Sequence, residues 1–449
     1  MHFRCAIRSR LISALVVGST FLVQGCAGGV STKDAAGYDG RLAQGDYPGA
    51  AAFAVEAGKI SKDGKSTNLL WSLDAGAAMV YSGDAARTIP VLDSAEEMMK
   101  LRDLGTTSEK GQYHAKTYDG VMTNAYKAVS AMQTGRSDIA RTELLRAEDR
   151  QARAETEFQA EAAMAQAGES APGNVNLASV LGAAQSNPDY ANAAREMGNY
   201  GKYKPFINPF PTYLAGLYFL NTKDGDHDKA RAAFERVRFL QGSNLLIDGD
   251  IALAKAQGSS APKTWVIFEN GQSSTIDEYS ITFPVPVIGK IKGVSVATVA
   301  LPRLHENLSA TNGVLVGDKA TRTVVVSNFD YVMRSEFQRR YPSIMRAAVL
   351  EAVLKIGLMN VAAQDKSGIA LLAATVASNV SYTDVRSWSA MPKDFQAARI
   401  ETPKDGQVRL RTDAGADLGS VTVPTNASSI VYVKMSRAGS PPSIQVLRF

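Results

Sequence analysis

Three patterns of hydrophobic and polar positions succeed one another along the chain. Leu11 to Val23 runs 13 residues without a charge, preceded by Arg4, Arg8 and Arg10. From about Tyr38 to Gln257 apolar residues recur three and four apart on an alanine-rich background, the period of helices buried along one face. After Gln257-Gly258-Ser259-Ser260-Ala261-Pro262, which reads as a linker, short runs of β-branched and aromatic residues take over. Strands are predicted at Trp265–Phe268, Ile281–Pro284, Ser295–Ala300, Thr321–Asn328, Gln396–Glu401, Gln407–Arg411, Ser420–Val423, Ile430–Met435 and Ile444–Leu447. An Asn270-Gly271 turn signal follows the first of them. The last five, separated by turns, suggest a small antiparallel sheet or sandwich. A helical insert at about 331–380 divides this half. Tyr331–Leu358 is amphipathic, with Arg334, Arg339, Arg340, Arg346 and Lys355 among apolar residues, and Gly368–Ser378 reads as a second, apolar helix.

The helical half contains an imperfect repeat. A glycine is followed by a small residue five later, an apolar one nine later and a small one twelve later. The unit occurs as Gly45, Ala50, Ala54, Ala57; as Gly83, Thr88, Leu92, Ala95; as Gly135, Ala140, Leu144, Ala147; and as Gly225, Ala230, Phe234, Val237. Glycine suits a helix C-terminus, and the Asp46, Asp84 and Asp226 that follow three of these glycines suit the start of the next helix. The pattern resembles the tetratricopeptide repeat, which implies stacked helical hairpins. The glycines are spaced unevenly rather than every ~34 residues, so the units are degenerate and interrupted. One interruption is a long charged helix, Arg146–Gln166, read as a solvated face. Another is a Gly-, Ser-, Asn- and Pro-rich loop, Ala167–Pro188. A third is Tyr203-Lys204-Pro205-Phe206-Ile207-Asn208-Pro209-Phe210, whose prolines exclude a helix interior. Phe206, Phe210 and the following Tyr213 either pack over the hairpins or form a docking surface.

The N-terminal run is too short to span a bilayer, which takes about 20 residues, and has the length of a signal-peptide core. Leu22-Val23-Gln24-Gly25-Cys26 resembles a bacterial lipobox, although Val23 and Gln24 depart from its commonest form. That resemblance implies cleavage before Cys26 and acylation of its thiol, with residues 26–37 as a tether. Ala27 after the cysteine favours the outer membrane by the usual sorting pattern. The chain has two cysteines, Cys5 and Cys26, so the mature protein would hold no disulfide.

A chain of this length predicts more than one domain: helical over 38–257 and β-rich over 258–449. The net charge of +5 falls to about +2 once the three signal arginines are removed, which offers no argument for nucleic acid. No HExxH, GxSxG, phosphate-binding loop or metal-spaced Cys/His set occurs, so no catalytic, cofactor or metal residue is assigned. The acids Asp330 and Glu336 form no recognisable catalytic arrangement. Asp384-Val385-Arg386-Ser387-Trp388 is the most pointed cluster. Asp384 and Arg386 are placed to pair across a turn, and Arg386 and Trp388 join the candidate partner-binding residues.

Asn208-Pro209-Phe210-Pro211-Thr212-Tyr213, the Gly225–Phe234 unit, Asp384–Pro392 and Ala397-Ala398-Arg399-Ile400 together resemble a family of uncharacterised Gram-negative envelope lipoproteins. Members combine tetratricopeptide-like helices with a β-rich C-terminal part. The resemblance implies an envelope assembly with other lipoproteins and no catalytic motif. The expected fold is α+β, a helical repeat solenoid followed by a β-rich domain with a helical insert. The expected function is a lipid-anchored, non-enzymatic scaffold that binds an envelope protein through its concave face. Two alternatives stand beside it: a wall- or glycan-acting module using acids of the C-terminal half, and an accessory subunit of a secretion or surface-assembly apparatus.

Overall fold

The structure is a computed structural model describing residues 32–103, 113–167, 177–198, 203–222, 225–256, 261–287, 293–362 and 384–449. Cys26 and the apolar segment 368–380 lie outside the described residues. The fold is α+β, with helices mostly N-terminal and strands C-terminal.

The first helices pair as antiparallel neighbours: α1 (Thr32–Ala43) with α2 (Tyr47–Ala57), α3 (Leu69–Ser82) with α4 (Ala85–Asp103), and α5 (Thr117–Gln133) with α6 (Ser137–Ala167). Two shorter helices follow, α7 (Leu177–Gln185) and α8 (Pro188–Gly198). Farther on, α9 (Pro209–Asn221) pairs with α10 (His227–Gln241), and α11 (Leu245–Ala256) packs on α10. The repeated residues explain the pairing. Gly45, Gly83 and Gly135 take the left-handed conformation that reverses the chain after a helix. Asp46 and Asp226 cap the next helices by accepting from the Gly49 and Lys229 N–H groups. Of the small and apolar positions that follow the four glycines, all but Ala57 are buried.

Gly216 of α9 shows why size matters in a hairpin. A Cβ there would lie 2.5 Å from the Phe234 Cε1 of α10. Gly216→Ala is expected to lower stability by about 1–3 kcal/mol through overpacking, read as a lower denaturant midpoint. A Phe234→Leu background, which opens space at the contact, should reduce the loss. If Gly216→Ala leaves the midpoint unchanged, the close helix approach is wrong.

Strands β11 (Ser443–Arg448), β10 (Ser429–Met435), β1 (Lys263–Asn270), β7 (Asp394–Glu401) and β6 (Val324–Asn328) form one sheet in that order. Within it β1 and β10 are parallel and the other pairings antiparallel. A second sheet has the order β5 (Thr321–Arg322), β4 (Val314–Val316), β8 (Gln407–Thr412), β9 (Asp417–Thr422). The last five strands therefore divide between two sheets, β7, β10 and β11 in the first and β8 and β9 in the second.

Alternation along the central strands decides the layering. Trp265, Ile267, Phe395, Ala397, Ile430, Tyr432 and Leu447 share a core with the helices. Val266, Phe268, Ala398, Val431 and Val433 face the other way and pack with Val314, Val316, Val408 and Leu410 of the second sheet. Helices α3, α5 and α9 lie between this sheet and their partners α4, α6 and α10. Consequently Leu69–Tyr81, Tyr118–Met132 and Pro209–Phe219 are buried without a break. Composition changes at 257, but the hydrophobic core runs continuously across that point.

The long hairpin of β2 (Thr275–Val287) and β3 (Gly293–His305) has its own core. Ile281, Phe283, Ala297 and Val299 pack with Met345 and Val349 of α12 (Phe329–Ala362) and with Val180 and Ala184 of α7. The expected loop 167–188 thus contains a helix. Its Val180 and Ala184, one turn apart, gain burial against the hairpin that outweighs the loop-like composition around them. The basic residues of α12 are paired: Arg339 with Glu155 at 2.7 Å, Arg340 with Glu336 at 2.9 Å and Glu161 at 3.0 Å, and Arg334 with Glu306 at 2.5 Å. Part of the charged face of α6 therefore serves α12. Among the described residues no helix is long and apolar enough to cross a membrane.

Candidate functional site

Chemistry-bearing side chains concentrate where α3 and α5 meet the central sheet. Asp74 and Tyr81 of α3 are seven residues apart, two helical turns, and so share one face; Asp119 and Tyr126 do the same on α5. Both faces meet the strand half, producing two polar levels.

At the tyrosine level the Tyr81 and Tyr126 hydroxyls lie 2.6 Å apart. Glu269 of β1 accepts from Tyr81 at 2.8 Å, from Tyr126 at 3.1 Å and from the Tyr432 hydroxyl of β10. Lys434 of β10 lies 3.7 Å from the Glu269 carboxylate and donates to the Gly271 carbonyl at 2.9 Å. All of these side chains are buried. Burial pushes Glu269 up and Lys434 down, each toward its neutral form; their mutual attraction, with the three hydroxyls on Glu269, opposes both shifts. The three tyrosines are held well above their usual range by burial and by Glu269.

At the aspartate level the arrangement is less complete. Asp119 Oδ2 accepts from the Tyr113 hydroxyl at 2.6 Å and from the Lys116 N–H at 2.7 Å. Asp119 Oδ1, Asp74 Oδ1 and Trp388 Nε1 are buried without a hydrogen-bond partner. Burial, with repulsion from Asp39 and Asp119, holds Asp74 well above the usual carboxylate range. Asp119 is pushed up to about 7, chiefly by burial and further by Glu336, against the pull of Tyr113 and Lys116. Carboxyls that favour their protonated forms can donate as well as accept hydrogen bonds, which suits them to water or a hydroxylated ligand. Among the described residues no three His, Cys, Asp or Glu side chains are grouped to hold a metal ion.

The remaining buried acids join elements. Asp250 of α11 accepts from Tyr213 at 2.9 Å, from Trp265 Nε1 at 3.2 Å and from Arg399 of β7, while burial raises it to about 6. Glu336 accepts from the Thr117 and Tyr118 N–H groups at 2.8 and 3.2 Å, capping α5 from a helix 218 residues away. Asp330 accepts from the Ser274 N–H at 2.7 Å and pairs with Lys393 at 2.5 Å. Asp330 and Glu336 of α12 thus fasten separate elements rather than face a common substrate.

The sequence-derived partner residues occupy different surroundings from a docking surface. Phe210 stacks on Phe395 of β7 with ring centroids 3.7 Å apart, and Phe206 packs against Phe158. Tyr213 is committed to Asp250, and Trp388 meets Tyr126 edge-on at 5.6 Å. All four rings are buried. Their apolar area is satisfied within the chain, the packing alternative of the two. Arg386 is partly exposed and pairs with Asp384, its Nε at 2.8 Å, as the turn reading expects. Asp74, Asp119, Glu269 and Lys434 were missed as candidates. For Asp74, Glu269 and Lys434 the signal is a lone charge in or at the end of an apolar run, as in Leu69-Leu70-Trp71-Ser72-Leu73-Asp74-Ala75 and Ile430-Val431-Tyr432-Val433-Lys434-Met435.

Comparison of the chain with protein-family models, with curated proteins and with solved structures returned no match.

Proposed function

We propose that this chain is a lipid-anchored envelope protein of the outer membrane that works by binding a protein partner, without catalysis. Acylation of Cys26 supplies the anchor, and the helical hairpins act as degenerate tetratricopeptide-like repeats. The observation that carries the non-catalytic reading is how the buried charges are spent. Glu269 with Lys434, Asp250 with Arg399 and Asp330 with Lys393 each fasten one element to another within the chain. The inner helices are covered on both sides, so the partner surface in this reading is the solvent side of α4, α6 and α10, a departure from the concave face.

The test is crosslinked affinity capture and membrane fractionation of the wild type beside Cys26→Ser. The wild type is expected in the outer-membrane fraction with envelope proteins bound, and Cys26→Ser is expected to lose both. Retention of Cys26→Ser on the membrane sinks the anchor; an anchored wild type that captures no protein sinks the scaffold.

One observation favours the wall- or glycan-acting reading: the Asp74 and Asp119 pair, with buried oxygens lacking partners. Those acids belong to the helical half rather than the C-terminal half. Wall-glycan fragments that bind the wild type but not Asp74→Ala would move that reading to the front.

A further inference from the structure

We propose that the end of the molecule formed by the start of α1 and the end of α2 is the face set against the lipid bilayer, with Lys59, Lys62 and Lys65 toward anionic headgroups. The inference rests on Cys26 being the acylated residue. Thr32, where α1 begins, lies six positions after Cys26. Six residues span at most about 20 Å when fully extended, so the bilayer surface lies within about that distance of Thr32.

The α1–α2 hairpin shows what else is at that end. A Cβ on Gly37 would lie 2.9 Å from Phe53 Cζ, and the Arg41 guanidinium sits 4.7 Å over the same ring. The two helices therefore run antiparallel about the Gly45 turn, which brings Ala57 and Lys59 beside the first turn of α1. The opposite end, at Gln44, is about 18 Å away along a 12-residue helix.

Beyond α2 the chain makes a defined turn. The Ser61 N–H donates to the Lys65 carbonyl at 2.9 Å, and the Ser61 hydroxyl donates to Asp63 at 2.6 Å. Lys59, Lys62 and Lys65 project from this segment into solvent, Lys65 4.0 Å from Asp63. The other acids of this end are Asp34 in the first turn of α1 and Glu56 near the end of α2, with Lys33 beside Asp34. Each lysine held near an anionic surface adds to its attraction, and the effect falls off within a Debye length. The tether keeps Thr32 within about 20 Å of the surface, close enough for the segment to swing into that range.

The experiment uses the lipidated chain. Cys26 is the only cysteine left after cleavage and its thiol is consumed by acylation, so one introduced cysteine is labelled uniquely. Lys59→Cys and Gln44→Cys, each exposed, would carry a fluorophore on protein bound to vesicles containing anionic lipid and a headgroup-attached nitroxide quencher. Quenching at 59 is expected to exceed that at 44 several-fold. Adding Lys62→Glu and Lys65→Glu should bring the two positions closer together. Equal quenching on vesicle-bound wild type overturns the orientation and leaves the anchor intact. Protein that fails to float with vesicles overturns the anchor and this inference with it. A ratio untouched by the glutamates removes the lysines from the contact.

Discussion

Glu269→Ala is expected to destabilise the folded chain by about 3–5 kcal/mol, among the largest effects of any single substitution in it. The carboxylate is buried and receives three tyrosine hydroxyls as well as the attraction of Lys434. Its removal leaves Lys434 in the interior with the Gly271 and Ala390 carbonyls, at 2.9 and 3.4 Å, and the Tyr81 ring face 5.2 Å away, but without its neighbouring carboxylate. The Tyr432 hydroxyl loses its Glu269 acceptor as well, while Tyr126 keeps the Tyr81 hydroxyl at 2.6 Å. Desolvation decides the magnitude, because an uncompensated buried charge costs far more than an exposed one. Pairing Glu269→Leu with Lys434→Met removes both charges and should recover much of the loss, since a buried ion pair is often matched by apolar residues of similar size. Denaturant midpoints of the wild type, the single variants and the double variant form a cycle. If Glu269→Ala costs less than about 1 kcal/mol, or the double variant is no better than the single, the cluster does not join the helices to the sheet.

The same cluster shows where sequence reading succeeds and where it stops. The repeat positions were legible because each relation is local: a glycine, then residues five, nine and twelve later, all but Ala57 buried and all within one turn and one helix. Strand positions were legible for a similar reason, since Trp265–Phe268 and Ile430–Met435 carry their β character in their own residues. Their pairing was not. β1 joins β10 in parallel register, Val266 opposite Val431, across 165 residues, and no local signal specifies that partner. The aromatic segment around Phe206 and Phe210 could be read as apolar, but not as facing β7, because the direction of burial depends on what the C-terminal half places there. Lone charges such as Asp74 and Lys434 were visible in their apolar runs. Their meaning required knowing that α3, α5, β1 and β10 converge.

Asp119→Asn is expected to remove a pH dependence of stability that the wild type shows between about pH 4 and pH 7. The Asp119 carboxyl is fully buried and its affinity for protons is raised from 3.8 to about 7 on folding. The folded chain therefore binds a proton here that the unfolded chain has released across that window. The sign follows by linkage: the contribution is fully present below about pH 4 and is lost as pH rises through about 7. A rise of about three, at ~1.4 kcal/mol each, sets an upper size of about 4 kcal/mol. The facing groups are Asp74 from α3, Glu336 from α12, Tyr113 and Lys116 from the segment before α5. The substituted amide keeps an oxygen for the Tyr113 hydroxyl and the Lys116 N–H and carries no charge to desolvate. Relative to the wild type, the variant should gain stability steadily from pH 4 to pH 7 and hold a constant difference above it. Denaturant midpoints of both chains at each pH give that difference directly, and contributions from Asp250 and Asp394, both raised to about 6, cancel in it. A difference that stays flat over the window means Asp119 is ionised in the folded state. In that case the orphaned Oδ1 is solvated, and the aspartate level between α3 and α5 is open to water.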